Sequence, residues 1–295
     1  MGNLPFERRG GIWVTNRLSV WMKGYGVMSN QLIKSVRYYQ CGYCMNNLRV
    51  MYRGLPRDMD PGRAFPAGVF LIEHESEGYM LLDTGYSQDI FRSGVRGFLY
   101  NKVTPTRVTA EDEIPAQLAR DGIDVGQIRR VVLSHLHPDH IGGVKFFPES
   151  EIIMSADAYE VLGNARVRDL VFPALVPSWL AQNASVMPVQ SLVQDPDTGL
   201  VGHDVFGDGS LLLVRLPGHA AGQVGAYIPG RLLIATDASW GNDLLPYSSQ
   251  LRLPTRLIQR DYETYKETAT LVQGVADRGI PVYFSHGQYD RRELL

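Results

Sequence analysis

Short apolar runs alternate with amphipathic stretches from about residue 33 to the end of the chain. Runs bounded by Gly, Pro, Asp or Ser predict β-strands, and apolar positions three or four apart predict helices. The predicted strands are Val36–Cys44, Val69–His74, Tyr79–Asp83, Arg129–Leu133, Ser210–Leu216, Arg231–Ala235 and Pro281–Phe284. The predicted helices are Thr109–Gly122, Ser155–Leu162 and Tyr262–Asp277. This alternation predicts a mixed α/β layered domain.

Composition adds limits on size and partners. The 295 residues are 44% hydrophobic and 20% charged, with a formal net charge of −2. This near-neutral balance gives no electrostatic reason to expect nucleic acid or an anionic membrane as a partner. We found no apolar stretch long enough to cross a bilayer and no signal-peptide core, so we expect a cytoplasmic protein. We expect residues 1–30 to be a poorly structured N-terminal extension and residues 31–295 to form the functional domain.

Histidine and aspartate follow five of the apolar runs. There are seven histidines in the chain, and three of them lie in the segment Ser134–Gly143, which reads SHLHPDHIGG. The residues that end or follow the five runs are Asp83, His135, His219, Asp237 and His286. Strand ends and the loops after them form the ligand crevice in sheets flanked by helices. Imidazole and carboxylate together suit zinc-like cations, so the pattern predicts a metal site.

These motifs together resemble the metallo-β-lactamase superfamily of αββα sandwich hydrolases. Asp-Thr-Gly, His-x-His-x-Asp-His, Pro-Gly-His, a single Asp and a late His occur here in the order typical of that family. The resemblance covers roughly residues 35–290. It implies a four-layer αββα fold and a site for two divalent metal ions, commonly Zn²⁺.

The resemblance also assigns ligands. It implies that His135, His137 and His219 hold one metal, that Asp139, His140 and His286 hold the other, and that Asp237 bridges them. Two such ions would share a hydroxide and polarise the group that it attacks. Asp83 is better placed to orient a ligand imidazole from behind, although a turn-capping role is the alternative. The second His of the motif is His137, where an iron-containing redox branch usually has Glu, which favours hydrolysis over electron transfer.

Within the superfamily the chain is most similar to the N-acyl homoserine lactonase branch. That branch carries a helical insertion, which we place at about residues 156–193. Phe172 and Trp179 would then line an apolar substrate pocket together with Trp240, or the first two would be ordinary core. Trp240 stands where that branch usually has a Tyr that assists ring opening, and an indole cannot act as a proton-transfer acid near neutral pH. Asp139 could instead deliver the proton to the leaving oxygen.

The sequence therefore predicts a binuclear metal-dependent hydrolase of a small-molecule lactone or other small apolar ester. A phosphodiesterase and a non-catalytic, metal-stabilised metabolite-binding protein are the alternatives. A phosphodiesterase would need basic residues around the site, and the flanking sequence offers few, namely Lys145, Arg215 and Arg231.

Two further groups of potential ligands fall outside these motifs. Cys41 and Cys44 are the only cysteines, so they lack the second pair that a closed zinc site requires, and we expect two buried small side chains. His74 and His203 occupy no motif position, and we expect structural or surface roles for both.

Overall fold

The strands of the molecule form two sheets. The computed structural model describes residues 31–188, 191–289 and 292–295, so the predicted extension over residues 1–30 lies outside the described residues. The first sheet contains β1 (Ile33–Asn47), β2 (Gly62–His74), β3 (Gly78–Leu82), β4 (Thr106–Arg107), β5 (Ile128–Val132), β6 (Glu151–Met154) and β7 (Ala184–Val186). The second contains β8 (Leu192–Gln194), β9 (Val201–Asp204), β10 (Leu212–Arg215), β11 (Val224–Ile228), β12 (Leu232–Thr236) and β13 (Val282–Phe284). Their spatial orders are β4-β1-β2-β3-β5-β6-β7 and β13-β12-β11-β10-β9-β8.

Eight α-helices occur in the described residues. They are α1 (Leu48–Met51), α2 (Gly94–Val103), α3 (Ile114–Arg120), α4 (Pro138–Ile141), α5 (Ala156–Asn164), α6 (Leu180–Asn183), α7 (Leu253–Leu257) and α8 (Tyr262–Ala276). Ser155 caps α5 by accepting a hydrogen bond from the Ala158 amide, and Asp261 caps α8 in the same way. Among these helices, not one combines the length and the apolar character that a bilayer span demands.

Alternating side chains along the central strands build four layers. Val132 in β5 and Ile234 in β12 face the core between the two sheets, where Phe70 and Leu213 also lie. Their neighbours Val131 and Leu233 point the opposite way, because successive strand residues face opposite sides. Helices α3 and α5 pack against the outer face of the first sheet, and α8 against that of the second. The predicted αββα sandwich is confirmed.

One predicted helix begins later than expected. The chain from Thr109 forms a turn, because both the amide and the hydroxyl of Thr109 donate to the Asp112 carboxylate at 2.8 Å. The helix α3 starts at Ile114, and Pro115 in its first turn is a common opening residue. The apparent capping box therefore stabilises a turn, and the helix follows it.

The first two strands are longer than their apolar runs. Strand β1 extends to Asn47, and β2 begins at Gly62, seven residues before the predicted start at Val69. The register shift between Gln40 and Tyr43 marks an irregularity in β1 beside Pro66 of β2. Proline and glycine interrupt the strand pattern in sequence, although they are tolerated at such irregular positions.

The insertion predicted over residues 156–193 is only partly helical. It contains α5 and α6 but also β7, which pairs in parallel with β6 through Ile153 and Ser185. Residues 189 and 190 lie outside the described part of the chain. The segment therefore extends the first sheet as well as covering it.

Candidate metal centre

Strands from both sheets end at the same edge of the sandwich. In the first sheet, β3 and β5 are parallel neighbours. In the second, β12 and β13 are parallel, and β10 runs in the same direction because β11 lies antiparallel to both β10 and β12. The residues after these ends converge on one buried cluster, as the strand-end pattern predicts.

The cluster contains every residue that the resemblance implied as a ligand. Three groups have potential ligand atoms within 4.8 Å of one another. They are His135 with His137 and His219, His135 with His140 and Asp237, and Asp139 with His140 and His286. All seven side chains are buried, with at most 8% of any residue exposed.

The carboxylate of Asp237 lies between the two histidine groups. Its Oδ2 is 2.9 Å from His286 Nε2 and 3.5 Å from His219 Nε2, and its Oδ1 is 3.5 Å from His140 Nε2. On the other side, His219 Nε2 lies 3.1 Å from His137 Nδ1. Asp139 Oδ2 is 3.6 Å from the Nε2 atoms of both His140 and His286. Asp237 thus has the position that a bridging ligand would need.

Hydrogen bonds at Nδ1, on the side of the ring away from the cluster, orient four of the five histidines of the cluster. The Nδ1 atom of each lies near an oxygen outside the cluster: Ser134 Oγ for His135 at 3.0 Å, Asp83 Oδ2 for His140 at 2.7 Å, Gln259 Oε1 for His219 at 2.9 Å and the Pro66 carbonyl for His286 at 2.6 Å. Because these oxygens accept, each Nδ1 carries the proton. The Nε2 atoms are then directed into the cluster, as in metal-binding histidines.

The Asp-Thr-Gly segment holds the short helix α4 in place. Asp83 accepts from the Ser134 amide and hydroxyl, both at 2.8 Å, in addition to His140. Thr84 donates from its amide and its hydroxyl to the His140 carbonyl, at 2.8 and 2.7 Å. A Cβ on Gly143 would lie 2.5 Å from the Thr84 carbonyl oxygen, so glycine allows this close approach. Asp83 itself has a φ of 67°, a strained conformation of the kind found at functional sites.

Burial and negative charge act differently on the individual histidines. Burial lowers the pKa of His135, His137 and His219, which keeps these imidazoles neutral. Burial also opposes the charged form of His140 and His286, but the carboxylates around them outweigh it and raise the pKa of both. His286 and His140 in turn hold the pKa of Asp237 well below its usual range in spite of its burial. Positive charge is therefore favoured at His140 and His286, beside the carboxylates, and disfavoured at the other three histidines.

The donor set fits a pair of divalent cations. The Nε2 atoms of His135 and His140 and the Oδ1 atom of Asp237 are buried and have no hydrogen-bond partner among the described residues. Such atoms are costly to bury unless something binds them. Neutral imidazoles and carboxylates with orienting partners behind them are the ligands that zinc prefers.

Comparison with known proteins agrees with this geometry. The model of the metallo-β-lactamase superfamily matches residues 62–277. The chain belongs to this superfamily. The predictions of its family, its sandwich fold and a metal-dependent hydrolase are thereby confirmed.

Several superfamily members with this fold are lactonases. The chain is 30% identical over 201 residues to the N-acyl homoserine lactonase AttM of Azorhizobium caulinodans, covering 61% of this chain and 70% of that protein. A solved N-acyl homoserine lactone hydrolase with N-hexanoyl-L-homoserine at its catalytic metal centre superposes with a TM-score of 0.63, at 21% identity, covering 86% of this chain and 94% of the other. The dizinc quorum-quenching lactonase AidC superposes with a TM-score of 0.60, at 18% identity, covering 88% and 87%.

A large cavity of about 470 Å³ opens onto the cluster. Cluster residues that line it are His137, Asp139, His219, Asp237 and His286. Its other walls are mainly apolar and come from separate segments, with Met51 from α1, Leu99 from α2, Val171 and Phe172 from the insertion, and Ile258 after α7. A superfamily site that opens into such a cavity suits a small molecule with an apolar part.

The three aromatic residues predicted for the pocket differ in position. Phe172 and Trp240 line the cavity. Trp240 packs edge-on against His219 at 6.0 Å between ring centroids, and against Tyr52 and Phe65. Trp179 is not among the lining residues, and it packs against the core on the outer face of the first sheet. For Trp179, the structure therefore supports the core alternative.

The cysteines and the remaining histidines do not belong to the ligand groups. Cys41 and Cys44 are free and buried, in two different apolar clusters. His74 accepts from the Ser76 and Glu77 amides through Nδ1, and its Nε2 lies 3.0 Å from Asp208 Oδ2. His203 Nδ1 lies 2.7 Å from Ser191 Oγ. These hydrogen bonds are consistent with the structural or surface roles expected for His74 and His203.

Sequence reasoning missed two partners of the cluster. Gln259 lies in the turn between α7 and α8 and belongs to no recognisable motif. The Pro66 carbonyl contacts His286 from 220 positions away in the chain. A backbone acceptor leaves no trace in side-chain identity, so no sequence signal marks it.

Proposed function

We propose that the protein is a binuclear metal-dependent hydrolase that opens a lactone or cleaves another small apolar ester. The observation that carries the proposal is the juxtaposition of a cation-binding cluster and a largely apolar cavity of about 470 Å³. The cluster residues line part of this cavity, and most of its other lining residues are apolar. A substrate would place its ester group at the cluster and its apolar part along the other walls.

The ligand assignment follows the three groups of the cluster. His135, His137 and His219 would hold one cation, and Asp139, His140 and His286 the other, with Asp237 contributing to both. Two such cations, zinc in our proposal, would make a hydroxide nucleophile available near neutral pH and would polarise the carbonyl under attack. Asp83, Ser134, Gln259 and the Pro66 carbonyl keep the imidazoles oriented for this task.

Asp139 is our candidate for moving a proton to the leaving oxygen. It lines the cavity and is 8% exposed, so a bound molecule can reach its carboxylate. A carboxylate has two oxygens, and one can bind a cation while the other holds a proton. Trp240 lines the same cavity but has no proton to transfer near neutral pH.

The relatives support the substrate class. AttM is named a lactonase of N-acyl homoserine lactones, and a structural neighbour holds N-hexanoyl-L-homoserine, the ring-opened product. An acyl chain of this kind is apolar and flexible, which suits the walls formed by Leu99, Val171 and Ile258. We therefore favour a lactone with an apolar acyl group.

The charge of the cavity favours an ester over a phosphodiester. Arg96 is the one Lys or Arg among the described residues that line it. Lys145, which follows the histidine motif, is paired with Asp89 at 2.5 Å. A phosphodiesterase would need several cations to hold phosphate oxygens.

The test is a substrate panel with zinc-loaded protein: N-acyl homoserine lactones of different chain length, simple lactones, aryl esters, thioesters and bis-phosphodiesters. We expect the acyl lactones to be hydrolysed fastest. His137→Ala and Asp237→Ala should each reduce the rate to background, because each removes a ligand. His203→Ala is the matched control and should retain the full rate. Full turnover after chelation of the metal, or faster cleavage of the phosphodiesters, would refute the proposal.

A further inference from the structure

A pair of buried tyrosine hydroxyls lies beside the cavity. Tyr86 follows the Asp-Thr-Gly segment and is buried in the core, with 1% of the residue exposed. Tyr100 lies in α2 and lines the cavity. Their hydroxyl oxygens are 2.7 Å apart, a hydrogen bond between side chains from two different elements.

The pair is close to the metal cluster. Tyr100 lines the cavity together with Cys44 and Asp139. Burial, and then the Asp139 carboxylate, raise the pKa of both hydroxyls. The Tyr100 ring is held edge-on against Phe172 at 5.4 Å between ring centroids. Tyr100 is thus held by contacts with Tyr86 and Phe172, and it also lines the cavity.

Either hydroxyl can be the donor of this hydrogen bond. Each hydroxyl has one hydrogen to donate. If Tyr100 donated to Tyr86, the Tyr86 hydrogen would have only the weakly accepting Cys44 sulfur nearby in an apolar core. If Tyr86 donates to Tyr100, the Tyr100 hydrogen remains for a ligand in the cavity. A ligand oxygen beside Tyr100 would favour the second arrangement, because the Tyr100 hydrogen then also has an acceptor.

We infer that the Tyr100 hydroxyl donates a hydrogen bond to an oxygen of the bound ester or lactone, with Tyr86 positioning it. This inference rests on the proposed function and adds a substrate-binding residue to it. Trp240 provides an indole from the segment after β12, whereas Tyr100 provides a hydroxyl from α2. The sequence did not single out Tyr100, because no motif includes it.

The experiment compares Tyr100→Phe, Tyr86→Phe and Tyr39→Phe in zinc-loaded protein. Tyr39 is the matched control, because it is a buried tyrosine in β1 whose hydroxyl bonds Asp121 at 2.6 Å, and it does not line the cavity. Values of kcat and KM are measured on an acyl lactone, together with zinc content and Tm. We expect Tyr100→Phe to lower kcat/KM about tenfold, the size of one good hydrogen bond. Zinc content should not change, and Tyr39→Phe should leave kcat/KM at the wild-type value.

Tyr86→Phe should lower kcat/KM less than Tyr100→Phe does, since the Tyr100 hydroxyl is still present. Wild-type kcat/KM in Tyr100→Phe, a larger loss in Tyr86→Phe, or a loss of zinc from Tyr100→Phe would each overturn the inference. Affinity for N-hexanoyl-L-homoserine, measured by calorimetry, separates this inference from the proposed function. A wild-type protein that turns over no lactone would refute the hydrolysis, whereas equal product affinity in wild type and Tyr100→Phe would refute the role of Tyr100.

Discussion

A single carboxylate connects three parts of the site at the scale of residues. Asp83 receives hydrogen bonds from the Ser134 amide, the Ser134 hydroxyl and the His140 ring. The strain in its backbone, with a φ of 67°, is offset by these contacts. The sequence marks Asp83 because it follows an apolar strand, but its two bonds to Ser134 depend on how β3 and β5 pair.

Replacing Asp83 tests this arrangement. We expect Asp83→Asn to weaken zinc binding about 10- to 100-fold, because the amide no longer supports the His140 ring as a charged acceptor does. Zinc affinity is measured by competition with a chromophoric chelator. Asp208→Asn is the control, since Asp208 pairs with His74 away from the cluster and its loss should leave zinc affinity unchanged. Equal affinities in wild type and Asp83→Asn would contradict the account.

At the scale of elements, the Pro-Gly-His turn lies between β10 and β11 and packs against α8. Gly218 has a φ of +122°, and a Cβ there would lie 2.3 Å from both the Cα and the N of Tyr265 in α8. The backbones of the turn and the helix therefore touch without an intervening side chain. This contact positions His219 next to Asp237.

Gly218→Ala should destabilise the fold and disturb His219. We expect a loss of at least about 2 kcal/mol in the free energy of unfolding, from the combined backbone strain and steric overlap. Gly279→Ala is a matched control, because Gly279 has a φ of +81° but no atom within 4 Å of its Cβ position. It should cost about 1 kcal/mol and leave zinc affinity intact. Urea unfolding of the metal-free variants measures the loss in free energy of unfolding for each substitution. Equal losses would show that the overlap with Tyr265 is relieved at no cost.

Element boundaries show which parts of the fold the sequence can predict. Strands β3, β5, β12 and β13 were predicted within a few residues, because each is an apolar run that ends abruptly in a polar residue. The helix predicted from Thr109 was wrong at its start, because the Thr109–Asp112 contact also forms in a turn. The early part of β2 was missed because Pro66 and Gly68 interrupt its pattern.

At the scale of the whole molecule, the cavity was the least predictable feature. Its walls combine α1, α2, the insertion and the segment after α7, which are distant in sequence and meet only in the folded chain. The ligand set was more accessible, because its motifs occur in a fixed order along the chain. The seven proposed ligands also follow strands of both sheets, so a bound cation would link the two halves of the sandwich.

Zinc should therefore stabilise the whole fold. A ligand that binds only the folded state at 100 times its Kd adds about 2.7 kcal/mol, so we expect the Tm of chelator-treated protein to rise by several degrees on adding Zn²⁺. Calorimetry with and without zinc measures the rise. In Asp237→Ala the rise should shrink, since that residue contacts both histidine groups. An identical Tm with and without zinc would show that the cluster does not bind it.

The most direct test of the central claim is anomalous X-ray diffraction from zinc-loaded crystals, recorded on both sides of the zinc absorption edge. We predict two zinc peaks about 3.5–4 Å apart, with Asp237 between them. One should contact His135, His137 and His219, and the other Asp139, His140 and His286. A single peak, or zinc bound away from these side chains, would contradict the account.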